Sequence, residues 1–312
     1  LEILKKDPDT DQIPVIVIST VAETDEIARC IEHGAEDYLV KPFNRTLLEA
    51  RIGSCLSRKA LRDQQETSRR QIEDYSLDLE RRVEEQVHAI GQAQLSTIFA
   101  MSRLAESRDN ETGMHLERIR EYCRILAEKL RERIEFAPVI DRAFLDDIYA
   151  ASPLHDIGKV GIPDSILLKP GKLTDEEFAV MKRHATISAD TLRDVQTQHP
   201  GNLFVAIGID VAENHHERWD GTGYPNGRRG EDIPLAGRIV ALADVYDALR
   251  ARRHYKPAFS HDKTRGIILE GAGRHFDPDV VQAFVQAEDR FVRVCDEMLD
   301  PETAPAAAAP SS

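Results

Sequence analysis

Apolar positions along this chain follow three different rules. From Ile13 to Ile18 they run Ile-Pro-Val-Ile-Val-Ile, the pattern of a short strand buried on both faces of a parallel sheet. A helical pattern follows from Thr24 to His33 and is broken at Gly34. Next come a second short strand, Asp37-Tyr-Leu-Val, then Lys41-Pro42 and a further helical stretch from Asn44 to about Ser57. Strand, helix, strand, helix marks residues 1–57 as an α/β segment, with too few strands to make a self-sufficient parallel sheet.

The second rule holds over residues 58–95. Charged and amide side chains dominate, no Pro or Gly occurs before Gly91, and Leu61, Ile72, Tyr75, Leu79, Val83, Val87 and Ile90 include steps of three and four. A narrow apolar stripe on a long charged helix predicts a coiled-coil linker, and hence a homodimer through residues 58–93. A charged helix lying along its own domain is the alternative. The third rule begins at Ser96. Broad amphipathic stripes at 95–107, 113–133, 141–152, 174–195 and 234–250, punctuated by Pro and Gly at 161–172 and 220–230, predict an all-α domain over 96–300. The chain as a whole is therefore expected to be mainly α, and the Ala- and Pro-rich tail, 301–312, to be disordered.

Composition narrows the function. The 312 residues are 41% hydrophobic and 31% charged, as in ordinary globular proteins. Neither Leu203–Ile209 nor Ile239–Ala243 approaches the ~18 apolar residues of a membrane span, and no basic-then-apolar leader opens the sequence. A cytoplasmic protein with no membrane partner is expected. Lys and Arg total 41 against 55 Asp and Glu, a formal net charge of −14, which argues against a nucleic acid polymer as partner and requires any anionic ligand to find a local basic site. The four cysteines are too dispersed for a CxxC metal site and are expected to be free thiols.

The candidate chemistry lies in histidines that stand beside acids. His155-Asp156 can direct an imidazole and a carboxylate at one ion, and the second carboxylate oxygen can reach another. Glu111 and His115 are four apart, one face of a helix; His184 follows a Pro-Gly loop; His215-His216 form a vicinal pair; Asp244 sits among apolar residues, where a buried carboxylate needs a cation. Any one of these could be structural. Together they form a ligand inventory for two or three divalent ions, and carboxylate plus imidazole without thiolate suits iron, manganese or zinc, with iron or manganese favoured.

With Gly223-Tyr224-Pro225 near the vicinal histidines, the chain resembles the HD-GYP family of cyclic dinucleotide phosphodiesterases. The resemblance rests on ETGMH at 111–115, HDIGK at 155–159, IPDSILLKPGKLT at 162–174, MKRH at 181–184, HHERWDGTGYP at 215–225 and ADVYDAL at 243–249. It implies metal ligation by Glu111, His115, His155, Asp156, His184, His215, His216 and Asp244, with Asp156 bridging and Glu111 allowing a third ion. His155, Asp156 and Lys159 would be catalytic, and Lys159, Tyr224, Arg253 and Lys256 would contact the substrate. The glycines and proline around Tyr224 are expected to present its phenol outward. Where the family commonly has Pro after the Arg253 position, this chain has His254, and the stretch Arg131–Arg142 is expected to extend the connection before the HD pair. The implied reaction is hydrolysis of cyclic di-GMP to linear pGpG, and in a second cycle to GMP. Divalent ions would supply the nucleophile and neutralise the charge that develops. A phosphohydrolase acting on another nucleotide, or an adaptor recruiting a diguanylate cyclase through the GYP surface, are the competing readings. IPVIVIST and GAEDYLVKPF resemble the second half of a response-regulator receiver domain, with Ser19, Tyr38 and Lys41 at its switch positions, which implies a two-component setting with a sensor kinase. The phospho-accepting Asp belongs to the half that these residues do not include, so phosphorylation is not expected here.

Overall fold

The structure is a computed structural model that describes residues 1–108, 114–251 and 258–298. It divides into two compact units, Leu1–Ile90 and the residues from Gly91 onward. The predicted tail, 301–312, lies outside the described residues.

In the first unit, α1 (Glu2–Lys6), β1 (Ile16–Ser19), α2 (Thr24–Glu32) and β2 (Asp37–Val40) precede a long helix, α3 (Arg45–Glu106). β1 and β2 pair in parallel, Ile16 opposite Asp37 and Ser19 opposite Val40. The strand starts at Ile16 rather than at Ile13, consistent with Pro14, which has no N–H to give a ladder. The expected two-sided burial is also absent: no residue of β1 is buried, whereas Tyr38 and Leu39 of β2 are, because the sheet has two strands among the described residues. Gly34 takes φ +94° and ends α2 as expected. The Tyr38 hydroxyl donates to the Val21 carbonyl at 2.6 Å.

The expected break near Ser57 is not there. α3 has 62 residues, roughly 93 Å at the ordinary rise per residue, and passes unbroken through Gly53 and Gly91. Charged pairs one turn apart line its length, among them Arg45–Glu49 at 2.8 Å, Arg70–Glu66 at 2.7 Å and Arg81–Glu85 at 2.6 Å. Ile72, Tyr75, Leu79, Val83, Val87 and Ile90 are each half exposed or more.

The second unit is all-α. After the end of α3 come α4 (His115–Arg131), α5 (Arg142–Ala151), α6 (Asp164–Leu167), α7 (Asp175–Met181), α8 (Arg183–Gln198), α9 (Leu203–Asn214), α10 (Leu235–Arg250), α11 (His261–Glu270) and α12 (Pro278–Glu297). The stretch expected as one helix over 174–195 is two, α7 and α8, meeting at Lys182. Helices α4, α10 and α12 bury the largest side chains: Tyr122 stacks on Phe291 with centroids 4.5 Å apart, and Tyr246 meets Phe291 edge-on at 5.0 Å. The stretch after Arg131 does not stand away from this core. Ile140 is fully buried, and Arg133 pairs with Asp279 of α12 at 2.6 Å. The four cysteines are free thiols, three of them buried. No helix among the described residues is long and apolar enough to cross a membrane.

Candidate metal centre

The second unit brings the ligand candidates together from helix ends, one turn and the middle of α10. His115 is the first residue of α4, His184 the second of α8, His215 caps α9 with His216 just beyond, and Asp244 lies midway along α10. His155 and Asp156 sit between two tight helical turns, Ser152–Leu154 and Ile157–Gly161. Two sets result, Asp156 with His184, His215 and His216, and His115 with His155 and Asp244. Within each set the donor atoms lie within 4.8 Å of one another. Donors about 2.1 Å from a shared ion stand roughly 3–4 Å apart, so both sets fit a divalent cation.

Asp156 joins the sets. Its Oδ1 is 3.1 Å from His184 Nε2 and 3.5 Å from His215 Nε2; its Oδ2 is 3.5 Å from His155 Nε2 and 2.8 Å from Lys159 Nζ. Backbone carbonyls fix the imidazoles. His155 Nδ1 faces Ser152 O at 2.9 Å, His184 Nδ1 faces Met181 O at 2.7 Å, and His215 Nδ1 faces Ala212 O at 3.0 Å. A carbonyl only accepts, so each Nδ1 carries the proton and each Nε2 turns a lone pair inward. His184 Nε2 and His215 Nε2 are 3.4 Å apart, two lone pairs facing one another beside a carboxylate. That donor set demands a positive charge.

The titration behaviour agrees. Burial alone would raise Asp156, but Lys159 and the neighbouring imidazoles outweigh it and hold the carboxyl well below its ordinary range. Burial likewise opposes charge on His184, yet the Asp156 carboxylate keeps it above the usual imidazole value, whereas burial pushes His215 down and His216 well down. The neutral His215 and His216 imidazoles beside a fixed carboxylate are what a metal ion takes, and a bound cation would displace any proton on His184 Nε2.

The other set is built differently. His115 Nδ1 is 2.8 Å from Asp247 Oδ2, its Nε2 3.9 Å from Asp244 Oδ1 and 3.7 Å from Glu106 Oε1. The expected burial of Asp244 does not hold, since it is partly exposed. The buried acid is Asp247, three residues on and 1% exposed, clamped by Arg118 through Nε at 2.6 Å and Nη2 at 2.9 Å. Although burial acts to raise it, that guanidinium and His115 hold Asp247 below the ordinary carboxylate range.

Close packing explains the glycines of the motifs. A Cβ on Gly158 would lie 2.2 Å from His184 O and 2.6 Å from Ser188 Oγ, and the Gly158 N–H donates to that hydroxyl at 2.8 Å. Gly223 passes equally close to Glu217 and Arg218, while Gly221 takes φ +82°. Buried Glu217 accepts from the backbone N–H groups of Asn226 at 2.7 Å and Arg228 at 3.1 Å, pinning the loop. The phenol of Tyr224 is not turned outward. It is partly buried, its ring 4.7 Å from the His216 ring, and burial raises its pKa. Lys159, expected against substrate, lies buried on Asp156. Arg108 ties the end of α3 to this region through Val160 O and Asp164 Oδ1, both at 2.6 Å. Glu111, Arg253 and Lys256 lie outside the described residues. Arg118, Ser188 and Arg108 carry no motif in the sequence; Glu217 lies within HHERWDGTGYP and Asp247 within ADVYDAL, but neither stands out there as a site residue.

Comparison with known proteins agrees with this geometry. The HD domain family matches residues 100–280. A Vibrio cholerae protein named "Cyclic di-GMP phosphodiesterase" is 54% identical over 203 residues, 65% of this chain and 41% of that protein. A second from the same organism, "Probable cyclic di-GMP phosphodiesterase", is 40% identical over 96% of this chain and 67% of its own length. "Cyclic di-GMP phosphodiesterase response regulator RpfG" of Xanthomonas campestris is 38% identical over 94% of this chain and 72% of its own. The chain thus spans less than half of the first of these relatives and about two thirds or more of the others. With two histidine–aspartate clusters able to hold a metal ion and a family match that covers more than half its length, the chain belongs to the HD domain family.

Proposed function

We propose that the chain is a metal-dependent phosphodiesterase that opens cyclic di-GMP to linear pGpG and, in a second cycle, to GMP. The observation that carries this reading is the pair of candidate ligand sets joined through Asp156, whose Oδ2 faces both His155 and Lys159. Two adjacent cations, when bound, would supply a hydroxide nucleophile near neutral pH and neutralise charge on the phosphoryl oxygens. The chain's own residues make that chemistry possible. The carbonyls of Ser152, Met181 and Ala212 fix three imidazole tautomers, and Lys159 holds Asp156 ionised and oriented. The half-buried Tyr224 closes one side of the His216 imidazole. Iron or manganese are the ions that this carboxylate–imidazole mixture favours, with Glu111 as an additional ligand for a third. Lys159, Tyr224, Arg253 and Lys256 are proposed as substrate contacts. The names of the relatives support cyclic di-GMP as the substrate.

The same reading places the chain in two-component signalling, in the cytoplasm. Residues 1–57 form a parallel strand–helix–strand unit as a receiver would, and one relative that aligns over 94% of the chain is named a response regulator. The exposed apolar stripe of α3 supports a homodimer through residues 58–93, with a sensor kinase and a diguanylate cyclase as further partners. The test is metal analysis together with chromatographic identification of products from one cyclic di-GMP incubation. Metal-loaded protein that releases pGpG supports the reading; release of no linear product from cyclic di-GMP at full metal occupancy rejects it.

A further inference from the structure

One feature of the second unit has no part in metal binding. Phe178 of α7 is a large aromatic side chain left 45% exposed, in a domain whose other phenylalanines mostly lie in the core. Its ring stands edge-on to Tyr224, centroids 6.1 Å apart, and Tyr224 in turn packs at 4.7 Å on His216 and 6.5 Å from His184, both of the Asp156 set. One helical turn on, Lys182 holds its Nζ 5.2 Å from the Phe178 ring and 5.7 Å from the Tyr224 ring. Among the described residues it pairs with no carboxylate, although the chain is rich in acids. The platform is fixed from below. Thr174 and Glu177 form a reciprocal cap at the start of α7, and Glu177 also takes Lys169 at 2.5 Å. An exposed aromatic face, a spare ammonium and a row of rings leading to a metal centre make up what a nucleotide requires. The face takes a base by stacking and the ammonium takes a phosphate oxygen, in a chain whose net charge of −14 otherwise repels anions.

We propose that Phe178 and Lys182 form a base-binding wall of the active site, with Phe178 stacking on one purine of the cyclic dinucleotide and Lys182 contacting the adjoining phosphate. The inference rests on the phosphodiesterase reading. It assigns specificity to residues that touch no metal ligand directly and that none of the family motifs singles out for substrate. The test is steady-state hydrolysis and equilibrium binding of cyclic di-GMP by metal-loaded parent, Phe178→Ala, Phe178→Trp and Lys182→Gln, with metal content measured on each. Loss of one stacked base is expected to weaken affinity roughly five- to a hundredfold, carried by KM while kcat and metal stoichiometry stay near the parent's. Phe178→Trp should restore most of it, and Lys182→Gln should raise KM and flatten its dependence on salt. Unchanged KM and affinity in both Phe178→Ala and Lys182→Gln overturn the wall without touching the phosphodiesterase reading. A parent that binds cyclic di-GMP without turning it over overturns that reading instead. The binding arm then still decides the wall: weaker binding by Phe178→Ala upholds it, equal binding rejects it.

Discussion

Gly158 shows how tightly single residues are specified here. A methyl group at this position would drive into His184 O and the Ser188 hydroxyl, moving both the helix that carries His184 and the turn that carries Asp156. Gly158→Ala is therefore expected to cost roughly 1–3 kcal/mol of stability and to lower metal content, read from urea unfolding and elemental analysis. Gly53→Ala, in the open interior of α3, is the control and should be neutral or stabilise by about 0.5–1 kcal/mol. Asp247 makes the complementary case for charge. Asp247→Ala leaves the Arg118 guanidinium buried without its carboxylate and is expected to cost about 3–5 kcal/mol in the same unfolding experiment; a loss below 1 kcal/mol would mean that the clamp is not structural. Seven of the eight candidate ligands, which the fold gathers into two clusters, were legible from the sequence as an inventory of histidines beside acids; Glu111 lies outside the described residues. Which acid of ADVYDAL is buried was not legible. The answer depends on Arg118, 129 positions earlier in the chain, and no local pattern records that partner.

At the scale of elements, the sequence is most informative where period and punctuation agree. α2, β2, α5 and α10 fall where the apolar pattern and its Gly or Pro boundaries put them. α9 is apolar nearly all round, so it has no stripe to distinguish it from a buried strand, and its helical state follows from packing against α8 and α5. The division of α7 from α8 at Lys182 is equally hidden, because Met181, Lys182 and Arg183 are good helix formers and no Gly or Pro marks the break. α3 differs in the other direction: the change in composition near Ser57 suggests a boundary, but the helix runs through it, with charged pairs one turn apart. The exposed stripe along it has a direct consequence. Replacing Leu79 and Val83 together by Asp should convert a dimer into monomers in light scattering, and a monomeric parent or an undisturbed dimer rejects α3 as the interface.

For the molecule as a whole, the proposed metal centre would be both site and strut. Its candidate ligands come from α4, α8, α10, the end of α9 and the turn at Asp156, so bound ions would cross-link most of the second unit. Stripping divalent ions with a chelator should lower the thermal transition of that unit, since a ligand at a hundred times its dissociation constant adds about 2.7 kcal/mol to stability. Calorimetry with and without added manganese reads this directly, and equal transitions in both would argue against a metal cross-link. The most direct test of the central claim joins this centre to the chemistry: metal content and cyclic di-GMP products measured side by side for the parent and Asp156→Ala. The shared carboxylate predicts that the parent releases pGpG while the variant, still folded by circular dichroism, loses both metal and product. Normal turnover by an Asp156→Ala protein with full metal occupancy would contradict it.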